Sequence, residues 1–150
     1  HIVSFRDKIR AVQKLTRRLP IRRGLVFVGR GFDAAHAVDK LRYEGIKAVA
    51  LLGQERRDQR RAALDAIRAG RAELLIATDL AARGLDIEDV DYVVQLDLPE
   101  DVRTYRHRAG RTARARKAGA VISLTDEKEI DKLKALAVRM EMDLHRLPRG

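Results

Sequence analysis

A chain of 150 residues, 45% hydrophobic and 36% charged, has the composition of a soluble globular domain and the length to bury a core, with one domain expected over residues 1–150. Its 32 basic against 22 acidic residues leave a net charge of +10, which favours an anionic partner such as nucleic acid. No apolar run is long enough to span a membrane, which argues against a membrane partner, and a cysteine count of 0 excludes disulfides, thiol catalysis and thiolate metal sites and suits a reducing cytoplasm.

In chain order, Phe5, Ile9, Val12, Leu15 and Leu19 recur at helical spacing behind Ser4 and Asp7, placed as N-cap and N3 partner, until Pro20 closes the helix. Residues 24–28 form a continuous apolar run of the kind buried on both faces of a parallel sheet, ending at the turn Gly29-Arg30-Gly31. A helix over residues 33–44 stops at Gly45, a second strand covers 46–52, and a highly charged helix over 54–69 stops at Gly70. Residues 74–77 give a third strand. The polar, glycine-marked stretch 78–86 reads as a connection to a fourth strand at 92–96. A helix starting near Asp101 delivers Tyr105, His107 and Arg108 and breaks at Gly110; a fifth strand covers 120–124. Asp126 and Glu129 open a last helix with Ile130, Leu133, Leu136 and Met140 on one face. Strands alternating with helices at such short spacings predict right-handed crossovers and an α/β fold, a doubly wound parallel sheet with helices on both faces. Ligands of such sheets sit beyond the carboxyl ends of the strands.

Several motifs bear on chemistry. Gly29-Arg30-Gly31-Phe32-Asp33-Ala34 fits a dinucleotide-binding fingerprint, with Glu55 about where a ribose-binding acid would stand, but nothing else suggests hydride transfer and a tight strand-to-helix turn explains it equally. The four histidines, His1, His36, His107 and His145, show no metal-ligand spacing, so no metal site is expected. A phosphate-cradling G-x-x-x-x-G-K-[ST] loop is absent from the sequence, so any triphosphate must be held mainly by something else. Arg108, Arg111 and Arg114 follow one another at three-residue steps around Gly110. Such a run is commonly a solvated helix face, yet guanidinium forks also suit bidentate phosphate contacts.

Residues 77–87, Ala-Thr-Asp-Leu-Ala-Ala-Arg-Gly-Leu-Asp-Ile, are followed by Asp97-Leu98-Pro99, Tyr105 and the run His107-Arg108-Ala109-Gly110-Arg111-Thr112-Ala113-Arg114. Together they resemble, in order and spacing, the C-terminal RecA-like domain of DEAD-box RNA helicases over about residues 27–124. The resemblance implies a RecA-like sheet and, in the full-length protein, ATP hydrolysis coupled to RNA unwinding. Arg111 and Arg114 match arginine fingers that reach the γ-phosphate of ATP, and Asp86 matches an aspartate that accepts from the ribose hydroxyls. Thr78, Gly84 and Arg60 match RNA-backbone positions, and Arg30 falls at another. His107, Arg108 and Asp79 match residues facing a partner domain. ATP is the implied cofactor, with Mg²⁺ held by an N-terminal RecA-like domain; RNA, gripped by its backbone without base specificity, and that domain are the implied partners. The chain begins at His1, which is expected of a piece of a longer protein, and the isolated domain is expected to be inactive.

The departures are Leu52 where the family has His, Arg57 where it has Gln, Arg30 where it has a small hydroxyl residue, Ala113 for Gly and Ala109 for a larger aliphatic residue. The first three bear on RNA or supporting contacts; the last two leave Arg111 and Arg114 in place. Two other readings remain: a basic RNA-binding or chaperone domain without helicase work, separated by whether a P-loop lies upstream, and a DNA-directed superfamily 2 helicase domain, separated by comparing RNA with DNA as stimulators.

Overall fold

Short apolar runs alternating with amphipathic stretches lay down a five-stranded, all-parallel sheet in the computed structural model, which describes residues 5–19, 22–29, 32–53, 55–82, 90–99, 101–109, 120–124 and 127–139. The strands are β1 (Gly24–Phe27), β2 (Ala48–Leu51), β3 (Leu74–Ala77), β4 (Tyr92–Gln95) and β5 (Ala120–Ser123), in the order β2-β3-β1-β4-β5. The helices are α1 (Phe5–Arg18), α2 (Ala34–Tyr43), α3 (Arg57–Arg68), α4 (Asp79–Ala82), α5 (Val102–Ala109) and α6 (Glu127–Arg139). The doubly wound α/β expectation is met.

The four pairings are in step, so Leu51, Ala77, Phe27, Gln95 and Ser123 form one row across the carboxyl ends of the strands. Side chains in such a row share a face, and the next residues along each strand take the other. One face packs Val26, Ile76, Val94 and Ile122 against Ile9, Val12 and Leu15 of α1 and Ala37, Val38 and Leu41 of α2. On the other, Leu25, Phe27, Leu51, Leu75 and Val93 pack with Ile67 of α3 and Ala81 and Ala82 of α4. Fully burying a large side chain of this kind contributes about 1.5–3 kcal/mol, so these two layers hold the sheet. Among the described residues no helix is long and apolar enough to cross a membrane.

Element ends have local causes. Asp33 caps α2 by accepting from the His36 amide at 3.0 Å. At its other end Gly45 takes φ +83°, while the Gly45 amide donates to the Arg42 carbonyl at 3.0 Å and the Ile46 amide to the Leu41 carbonyl at 2.9 Å. That closure assigns buried Ile46 to the helix stop, so β2 begins at Ala48 and not at 46. The α3 start also moves, from 54 to Arg57, where the Arg56 amide donates to the Gln59 side chain at 3.1 Å. Residues 78–86, expected as an irregular connection, open with the one-turn helix α4 instead. Thr78 is its cap: Thr78 Oγ1 accepts from the Ala81 amide at 3.2 Å and the Thr78 carbonyl from the Ala82 amide at 3.0 Å. Ser4, Pro20, Asp126 and Met140, named as helix-end or helix-face residues, lie outside the described residues.

Candidate functional site

The chain leaves β1 toward one edge of the sheet, through α2 to β2, and leaves the adjacent β4 toward the other, through α5 to β5. Adjacent strands whose connections diverge make a topological switch point, where open α/β sheets place ligands. Here that point lies between the carboxyl ends of β1 and β4, and polar side chains bond across it.

Arg108, on the last turn of α5, lies at its centre and is 2% exposed. Its Nε and Nη2 donate to Asp79 Oδ1 and Oδ2 at 2.8 and 2.7 Å, a bidentate pair. Nη1 donates to Gln95 Oε1 at 3.0 Å and to the Asp97 carbonyl at 2.7 Å. The guanidinium carbon stands 4.9 Å from the centre of the Phe27 ring. Gln95, itself 0% exposed, donates through Nε2 to Ser123 Oγ at 2.8 Å. A buried cation is tolerated only when charge and donors are both satisfied, and four hydrogen bonds to Asp79, Gln95 and Asp97, with the Phe27 ring, do this for Arg108. The pairing joins α4, through Asp79, to the end of α5.

Asp97 closes the rim beside it. Its Oδ2 accepts from the Gly29 amide at 2.6 Å, and its Oδ1 accepts from Lys8 Nζ of α1 at 3.1 Å, while the same ammonium donates to the Leu96 carbonyl at 2.7 Å. A Cβ on Gly29 would stand 3.1 Å from Asp97 Oδ2, so close approach to that side chain favours glycine here without any dinucleotide. Glu55 has a comparable structural task. Its carboxylate accepts from the Leu52 and Gly53 amides at 2.6 and 2.9 Å, which binds it to the loop after β2 rather than to a ribose. Asp101 caps α5, accepting from the Thr104 amide at 2.8 Å; backbone and side-chain hydrogen bonds from Thr104 hold its carboxyl below the ordinary 3.8.

Of the residues singled out from sequence, four are fully described. Thr78 is half-buried after β3, within 3.5 Å of the Leu52 carbonyl, and Arg60 is half-buried on the first turn of α3. Asp79 and Arg108, matched to an interdomain seam, are each other's partners within this domain. His107 is placed on α5 by its backbone alone, and Arg30, Gly84, Asp86, Arg111 and Arg114 lie outside the described residues. Sequence reasoning missed the supporting residues Phe27, Gln95 and Lys8. A signal existed for one of them: a carboxamide inside the apolar run Val93-Val94-Gln95-Leu96 has no place in a buried strand without a polar partner.

The pattern of the helicase conserved C-terminal domain matches residues 7–116. The ATP-dependent RNA helicase SrmB of Haemophilus influenzae is 40% identical over 126 residues, 84% of this chain and 29% of that protein. The probable ATP-dependent RNA helicase YfmL of Bacillus subtilis is 39% identical over 143 residues, 95% of this chain and 38% of that protein. Thus the chain spans about a third of the length of these relatives. Among solved structures, the E. coli DEAD-box protein SrmB bound to the regulator of ribonuclease activity A superposes with a TM-score of 0.87 at 31% identity, over 99% of this chain and 94% of that one. A DEAD box protein from Methanococcus jannaschii gives 0.85 at 31% identity, over 98% of this chain and 40% of that one. The chain belongs to the helicase conserved C-terminal domain family, within its DEAD-box RNA helicase branch.

Proposed function

We propose that this member of the DEAD-box family acts as the C-terminal RecA-like half of an ATP-dependent RNA helicase, closing on RNA and on ATP held by an N-terminal RecA-like domain. The observation that carries the reading is the buried Arg108, which bonds Asp79, the residue after Thr78, to the last turn of α5. Thr78, matched to RNA, and the end of α5, which precedes the residues matched to nucleotide in the sequence, thereby meet at one rim of the switch point.

In this reading Arg111 and Arg114 offset the charge that develops on the transferred phosphoryl group, and Asp86 accepts from the ribose hydroxyls. ATP, when bound between the two domains, supplies the phosphoanhydride whose hydrolysis drives the cycle. The cationic composition of the sequence after Arg108 suits such a polyanion. We assign Mg²⁺ to the N-terminal domain. Thr78, Gly84, Arg60 and Arg30 grip the RNA backbone without reading bases. His107 and the outer edge of Asp79, whose side chain is 38% exposed, face the N-terminal domain, while Arg108 acts from beneath them as a positioning residue. A cysteine-free chain suits a reducing compartment, and we place the protein in the cytoplasm.

The test is RNA-stimulated ATP hydrolysis by the two-domain protein carrying Arg114→Ala. An arginine finger supplies roughly 10³-fold or more, so kcat is expected to fall by about that factor. A variant that keeps the wild-type kcat sinks the assignment.

A further inference from the structure

At the opposite pole of the sheet, before β2 and β3, a hollow of about 320 Å³ is lined by three cations from three parts of the chain. Arg42 comes from the last turn of α2, Lys47 from the connection into β2 and Arg71 from the connection into β3. All three are exposed around a floor that includes Ala48 and Ala72, both buried. Among the described residues none of the three forms an ion pair. The neighbouring carboxylate, Glu73, is turned to the Lys47 backbone amide, which donates to its Oε1 at 3.3 Å.

Like charges brought together repel one another, and among the described residues no ion pair offsets the three, the Glu73 carboxylate being engaged by the Lys47 backbone amide instead. Arg42 is, moreover, held in place. Its Nε donates to the Ala48 carbonyl at 2.9 Å, and its terminal nitrogens make no further hydrogen bond among the described residues. A guanidinium fixed at Nε loses little further freedom when Nη1 and Nη2 engage an anion, and a lysine beside it adds three rotatable donors.

We propose that this hollow is a second phosphate-binding site, taking a phosphate group on Arg42, Lys47 and Arg71. It is distinct from the rim at the carboxyl ends of the strands, which is about 13 Å off along a four-residue strand at ~3.3 Å per residue and lies between β1 and β4 rather than at β2 and β3. A phosphate presents planar oxygen pairs to the two guanidinium forks and a third oxygen to the ammonium, and the volume accommodates one such group with its ester substituent. The same chemistry is carried by a free phosphorylated compound and by an RNA backbone phosphate. The site stands on its own geometry and does not depend on the helicase reading.

The experiment is an amide-resolved NMR titration of the chain with pyrophosphate and, separately, with a short single-stranded RNA, repeated on Lys47→Gln and on Arg42→Gln/Lys47→Gln/Arg71→Gln. Saturable shifts are expected at the amides of Gly45, Lys47, Arg71 and Ala72. Each charge removed should weaken them by about three- to tenfold. Response to pyrophosphate identifies a free phosphate ligand as sufficient; response to RNA alone identifies the polynucleotide as the source. No saturable shift with either probe, or shifts undiminished in the variants, overturns the site. Should the triple variant fail to fold, Lys47→Gln decides, because no hydrogen bond of that side chain is lost with it. Shifts at Leu52, Gly53 and Thr78 report the opposite rim, so each site can fail without the other.

Discussion

At the carboxyl ends of the strands a buried guanidinium is satisfied by one carboxylate, a carboxamide and a backbone carbonyl, whereas at the amino ends three cations surround a hollow with no ion pair among the described residues. Both regions use arginine, and the difference is what surrounds it. Arg108 is 2% exposed, so its charge had to be matched inside the fold, and the matching bonds weld α4, α5, β1 and β4 together. Arg42 and Arg71 stand in water, where an unmatched charge costs little and stays available to a visiting anion. Burial turns a phosphate-binding residue type into a structural strut; exposure leaves it a ligand contact.

The most damaging way to break this contrast is Arg108→Ala. It removes the charge that holds Asp79 and leaves Gln95 Oε1 and the Asp97 carbonyl beside a cavity, so a loss of about 3–4 kcal/mol is expected in chemical denaturation. The same truncation at exposed Arg71 should change stability by less than about 0.5 kcal/mol, and equal losses at the two positions would void the distinction. Gln95→Leu keeps the volume but strands one Arg108 donor and Ser123 Oγ; about 1–3 kcal/mol is expected, with the denaturation midpoint as the readout. Gly29→Ala is milder. The new Cβ meets the Asp97 carboxylate at 3.1 Å, and moving that side chain strains its bonds to the Gly29 amide and to Lys8, for about 1 kcal/mol.

The smallest effect concerns acid. The Asp101 carboxyl is held below its ordinary value by Thr104, so the native state favours its ionised form. Its contribution is complete above the unfolded value near 3.8 and disappears as pH falls through the lowered native one. Asp101→Asn, which keeps a cap, should therefore match the parent's pH dependence near neutrality and show a flatter loss of stability below about pH 4. Parallel curves through that range would contradict the assignment.

Much of the architecture was legible because period and punctuation are local. The run 74–77 is apolar and short, and β3 is Leu74–Ala77; Gly45 and Gly70 stop helices at φ +83° and +77°. The short helix α4 was missed because four residues cannot show a 3.6-residue period, and its signal is the side chain of Thr78 rather than a pattern. Arg108 illustrates the other limit. Spacing put it in an exposed-looking run with Arg111 and Arg114, but whether it points inward depends on Phe27 and Gln95 lying side by side, and those are separated from it by 81 and 13 residues (108 − 27 and 108 − 95). No local pattern carries that.

The row Leu51, Ala77, Phe27, Gln95 and Ser123 has a further consequence for how the chain finds its fold. Sliding β4 by one residue against β1 would carry Gln95 to the opposite face, among the aliphatic side chains under α1 and α2, and put Leu96 or Val94 beneath the Arg108 guanidinium. Strands this short and this uniformly apolar carry little other information about how far to slide. Buried Gln95, bonded to Arg108 and to Ser123 of the edge strand, thus acts as a proofreader of assembly, rejecting misaligned strands that hydrophobic burial alone would accept.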